Sequence, residues 1–190
     1  MEPENLSIKL FAKSDAGLES KDFIQTFHRW IQEHRLDELM IDVADYAHVH
    51  HGPGVMLICH DAHYATDRGE GRFGLLYARK RIHEGSLRQR IETAFSKALR
   101  AARFLEEEPA LAGRIAFRTD ELRFSIEDRL HAPNTPATLE AIRNDLGAVL
   151  ERLYGTEPTV THRGRPKECF AVDIHAADAP DLATLVSRSV

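Results

Sequence analysis

Two glycine-bearing turns divide residues 39–81 into strand-length pieces, and this spacing constrains the fold more than any other feature of the chain. Leu39 to Val49 (LMIDVADYAHV) reads as a strand, and in the run HHGPG that follows, Pro53 and Gly54 suit the centre of a type II turn. Val55 to Cys59 (VMLIC) is apolar at every position, the pattern of a strand covered on both faces. His60 and Asp61 end this second strand, and Asp67 to Gly71 (DRGEG) makes another tight turn. Arg72 to Arg81 (RFGLLYARKR) then returns as a third strand. Three strands joined in order by tight turns form an antiparallel meander.

The flanking segments give the remaining elements. Ser7 to Lys13 alternates, with Ile8, Leu10 and Ala12 on one face, and predicts a strand. Ser20 is a candidate N-cap for a helix whose stripe is Phe23, Ile24, Phe27, Trp30 and Ile31. Ser86 and Gln89 form a capping-box pattern ahead of a stripe from Leu87 to Leu105, which should stop near Pro109. Arg114 to Thr119 and Leu122 to Glu127 read as two strands turning at Asp120 and Glu121. Thr135 and Pro136 open a third helix that Gly155 stops, Thr159 to His162 and Glu168 to His175 form a hairpin around RGRP, and the tail is a short helix or a loose end.

Strand groups separated by helices predict an α+β protein with largely antiparallel sheet, three main helices and ferredoxin-like elements. Residues 1–190 are expected to form a single domain. The alternative is two lobes, 1–112 and 113–190, divided near Gly113. No sequence repeat is evident.

With 43% hydrophobic residues the chain can bury a substantial core. No apolar run reaches the roughly 20 residues of a membrane span, and the start lacks an export pattern, so a cytoplasmic protein with no membrane partner is expected. Cys59 and Cys169 then read as reduced thiols. A net charge of −5 disfavours nucleic acid, but residues 79–103 carry eight Lys or Arg against Glu84 and Glu92. That basic segment points to an anionic ligand or an acidic partner surface.

Five of the eleven histidines, His48, His50, His51, His60 and His63, fall within residues 48–67. If the HHGPG turn is tight, His60 lies opposite Asp45 and His63 opposite Asp42, which would couple imidazole to carboxylate. His48, His50, His60, His63 and Asp61 are the candidate ligands for Zn or Fe, and His60 or His63 for haem. The chain has no HExxH, no CxxC, and Gly52 and Pro53 stand where a His-x-His-x-Asp-His motif would need Asp and His. Arg79, Arg81 and Arg88 lead into the N-terminus of the second helix, where free N–H groups favour an anion. In the loop 128–136, Asp128, Arg129, His131 and Asn134 are further polar candidates.

The reading that follows is a protein that binds a small or anionic ligand, or a partner, through Asp42, Asp45, His48, His60, His63, Arg79, Arg81 and Arg88. The alternatives are a Zn- or Fe-dependent hydrolase or oxidoreductase, and a haem-binding protein. Open antiparallel sheet edges point to a homo-oligomer.

Overall fold

The computed structural model describes residues 5–190 apart from 15, 16, 51, 82, 83, 112, 166 and 190. His51 and the Pro166 of RGRP therefore lie outside the described residues. The elements in chain order are β1 (Leu6–Ser14), α1 (Ser20–Glu33), β2 (Met40–Tyr46), β3 (Gly54–Cys59), β4 (Ala62–Asp67), β5 (Gly74–Arg79), α2 (Leu87–Glu107), β6 (Ala116–Ile126), α3 (Pro136–Tyr154), β7 (Thr159–His162), β8 (Phe170–His175) and α4 (Leu182–Arg188). The eight strands form one sheet in the order β2-β3-β4-β5-β1-β6-β8-β7, and every pairing is antiparallel. The fold is α+β as expected, with four helices rather than three, because Asp181 caps the tail segment through Thr184 N–H.

Two strand expectations are corrected. The run from Val55 to Asp67 is two strands, since it folds back at His60–Asp61, and β3 pairs with β4 through Met56↔Ala65, Leu57↔Tyr64 and Ile58↔His63. Conversely, residues 116–126 are a single strand through Asp120 and Glu121. Glu121 is buried there because Arg72 grips its carboxylate with two hydrogen bonds of 2.6 Å, so an acid that resembles a turn signal is half of an ion pair. The meander therefore has four strands, not three. The helix expected to be capped by Ser20 begins at Ser20, with Glu19 as its N-cap in a box with Asp22.

One face of the sheet is the core. Leu57, Tyr64, Tyr77, Ile8, Phe124 and Val172 are register partners across six strands and are all fully buried. Phe23, Phe27 and Trp30 of α1, the Ile91 to Leu105 stripe of α2, and Ile142, Leu146 and Val149 of α3 join them in one apolar cluster. On the other face, Met56, Ile58, Leu76 and Ala78 are only half-buried, so VMLIC is covered fully on one side. That face is polar around β1. Lys9 is buried and bonded to Asp67 and to the carbonyl of Arg72 at 2.8 Å, and the Arg72 guanidinium stacks 3.7 Å over the Phe11 ring. The β4–β5 connection, residues 68–73, lies across this patch.

The topology contains a repeat that the sequence does not show. β1, α1, the meander β2–β5 and α2 form one unit, and β6, α3, the hairpin β7–β8 and α4 form a second of the same order. In each unit the last strand before the closing helix returns beside the first strand, β5 beside β1 and β8 beside β6. The fourth place of a ferredoxin-like sheet is filled reciprocally, by β6 for the first unit and β1 for the second. The first unit carries one additional hairpin.

Candidate functional site

The expected histidine cluster is divided between the two ends of β3. Asp42 pairs with Ile58 and Asp45 with Val55, five residues away from the register that would set Asp45 against His60. The reason is local: the β2–β3 connection is a seven-residue loop, and β3 ends before His60. Asp45 accepts from Ala47 N–H at 2.8 Å, Val49 N–H donates to Tyr46 O and Gly52 N–H to Val49 O, so successive turns build the loop. His48 and His50 stand exposed on it. Six residues of β3 separate them from the His60 end, about 17 Å of extended chain.

At that other end, His60 and Asp61 make the β3–β4 turn, with His60 Nδ1 2.9 Å from Asp61 Oδ1 and the Arg81 guanidinium 4.0 Å from Asp61. His63 shares a sheet face with Asp42, but Ile58 of β3 stands between them in register. The His63 Nδ1 is buried without a hydrogen-bond partner, and burial, with Lys80 nearby, lowers its pKa below the ordinary value. Among the described residues, no three His, Cys, Asp or Glu side chains are grouped to hold a metal ion.

The basic segment is dispersed in the same way. Arg79 is buried and donates to the carbonyl of Arg81 at 2.9 Å, Arg81 faces Asp61, and Arg88 lies 3.5 Å from Asp145 of α3. The N-terminus of α2 is closed by its own capping box between Ser86 and Gln89. In the 128–136 loop, Asp128 holds His131 at 2.7 Å, while Asn134 donates to the carbonyls of Arg163 and Arg165 and so ties this loop to the β7–β8 connection.

The structure does bring one half of the histidine-rich segment into a pocket. His48, His50 and Gly52 line a cavity of about 430 Å³ with Leu18, Phe23 and Phe73, the first turn of α1 at Glu19 and Ser20, and Arg68. Arg68 holds its guanidinium over the Phe73 ring at 4.7 Å, which sets a cation beside an apolar wall. Gly54 at the pocket floor has φ +67°, and a Cβ there would stand 2.2 Å from Thr66 O, so only glycine admits this approach of β3 to β4. The sequence points to His48, but Arg68 and Phe73 become visible only when the β4–β5 connection is seen beside the β2–β3 loop.

A second polar group was not anticipated. Tyr64 and Tyr77 are register partners with rings 5.1 Å apart, and both hydroxyls are buried without a hydrogen-bond partner, as is Glu38 Oε2. Lys97 of α2 lies 3.9 Å from Glu38. Burial, reinforced by Glu38, pushes the adjacent Cys59 thiol up to about 12, so it is an un-ionised core thiol at neutral pH. Both cysteines are free. The signal in the sequence was available: Tyr64, Tyr77 and Arg79 put polar groups on the core-facing positions of β4 and β5.

No described helix is long and apolar enough to cross a membrane. Comparison of the chain with protein-family models, with curated proteins and with solved structures finds no match.

Proposed function

We propose that the protein binds a small ligand carrying an anionic group on an apolar body, in the pocket between the β2–β3 loop, the start of α1 and the β4–β5 connection. The observation that carries this reading is the 430 Å³ pocket itself, in the size range of small-molecule sites, whose lining combines apolar Phe23, Phe73 and Leu18 with His48, His50 and Arg68, against a single acid, Glu19. The apolar walls supply the affinity, and the cation and imidazoles orient the anionic end. Of the residues expected at the site, His48 lines this pocket, while His60, His63, Arg79, Arg81 and Arg88 stand elsewhere. The metal-dependent reading finds no group of three candidate ligands among the described residues.

Binding of phenyl phosphate and benzoate, followed by calorimetry, tests the proposal. Arg68→Ala and His48→Ala are each expected to weaken binding about tenfold, the loss of roughly 1.4 kcal/mol of polar contact. Unchanged affinity in both variants would remove the pocket from consideration. The homo-oligomer is also retained as a proposal, with β2 as the joining edge. It is one of the two outer strands, and Leu39, Ile41, Tyr46 and Val49 are exposed on or beside it. Light scattering decides this, since Ile41→Lys should convert a dimer to a monomer.

A further inference from the structure

Glu70 is placed in a way that a surface loop does not require. It lies between Gly69 and Gly71 at the tip of the β4–β5 connection, in the left-handed region at φ 59°, which a non-glycine residue adopts at a cost. Its carboxylate accepts from three arginines of the second unit: Arg163 Nη2 at 2.5 Å and Arg165 Nη1 at 2.7 Å on Oε1, and Arg123 Nη2 at 3.4 Å on Oε2.

The arginines are held in place by groups other than Glu70. Asp173 takes Arg123 Nε on one oxygen at 2.8 Å and Arg163 Nη1 on the other at 2.9 Å, leaving the second Nη of Arg163 to point at Glu70. Asn134 fixes the backbone of Arg163 and Arg165, its Oδ1 accepting from His162 Nε2 at 2.7 Å. Glu168 stands 3.6 Å from Arg165 and is the third acid of the cluster, after Glu70 and Asp173. Arg123 and Arg163 are 12% and 15% exposed, so two of the three donors work in a partly desolvated site.

We propose that Arg123, Arg163 and Arg165 form a binding site for a phosphate-type oxyanion, and that Glu70 occupies it in the present state as the chain's own ligand. Three converging guanidinium donors suit a group with three terminal oxygens better than a carboxylate with two. Glu70 stands at the tip of a turn closed by Gly71 N–H to Arg68 O and Arg72 N–H to Gly69 O, so its side chain can leave the arginines by rotation while the turn stays intact. The inference is independent of the pocket reading, because the arginines lie across the outer sheet face and none of them lines that pocket.

The test is binding of inorganic phosphate to the full chain, with chloride at matched ionic strength as the reference. Glu70 is tethered beside the arginines at an effective concentration in the millimolar range, so the natural chain should bind phosphate weakly and Glu70→Ala at least tenfold more tightly. Glu70→Gln keeps the side chain's length and should gain less, which serves if the alanine variant does not fold. Adding Arg163→Ala to the Glu70→Ala chain should abolish the gain. Equal phosphate affinity in the natural chain and both Glu70 variants would overturn the proposal, as would a gain that survives loss of Arg163. Glycerol phosphate in parallel assigns the site to a phosphate ester if it binds more tightly than the free anion, and to the free anion if it does not.

Discussion

His63 shows how a single position can be legible as chemistry and illegible as geometry. Its neighbourhood of five histidines and two aspartates suggested an imidazole paired with a carboxylate, and the structure sets it instead against Ile58 and Ala78 with Nδ1 buried and unbonded. Burial and the Lys80 charge favour the neutral ring, so its folded pKa lies below its ordinary 6.5. The unfolded chain then takes up a proton as pH falls through about 6.5, where the folded protein does not. Stability is therefore full above that value, falls as pH drops below it, and levels once the folded pKa is passed. Urea midpoints at pH 7.5 and pH 5.5 check this: the natural chain should lose more stability over that interval than His63→Gln, and equal losses would show that His63 is not the group responsible. The carboxylates held low by arginines, such as Glu121, act below their own ordinary value and leave this window clear.

At the scale of elements, helices were read well and strand boundaries poorly, for a physical reason. The capping box at Ser86, the Thr135 cap with Pro136, and Gly155 with φ +76° are local signals that fix helix ends within a few residues. The β3–β4 turn at His60–Asp61 carries no glycine or proline, and long-range hydrogen bonds hold it: His60 N–H donates to Leu39 O, just ahead of β2, and Lys80 reaches back to Cys59 O. The continuation of β6 through Asp120 and Glu121, where its pairing with β1 shifts register, goes with Arg72, 49 residues distant, holding Glu121 inside. Long-range partners decide these elements, and no local pattern announces them.

One such partner gives a measurable outcome. Trp30 of α1 donates its indole N–H to Glu108 Oε2 at 3.0 Å just beyond the end of α2, and Arg29 pairs with the same carboxylate. Glu108 is buried, so Glu108→Ala leaves a desolvated indole N–H without an acceptor and should cost about 1–3 kcal/mol in urea unfolding. Glu108→Gln retains an acceptor and should cost less. Equal losses would mean that packing, not the hydrogen bond, joins the two helices.

For the whole molecule, the expected domain and its two-lobe alternative make opposite predictions. A cut near Gly113 would separate β1 from β6, and each of these strands fills the fourth place in the other unit's sheet. We propose one folding unit on that basis. Trp30 fluorescence reports on the first unit and far-ultraviolet circular dichroism on both, so the two probes should give coincident urea transitions. A fluorescence transition that precedes or follows the change in circular dichroism would favour two lobes. The sequence could not show this arrangement, because the two units share an order of elements and not a pattern of residues.

The central claim is that the β2–β3 loop, the start of α1 and the β4–β5 connection enclose a ligand pocket. The most direct measurement is a ¹H–¹⁵N correlation spectrum of the full chain during titration with phenyl phosphate. Shifts that saturate together at His48, Gly52, Ser20, Arg68 and Phe73 are predicted, with the amides of His60 and Arg88 unmoved. Saturating shifts confined to the His60–Arg81 end, or none at the pocket, would contradict the claim.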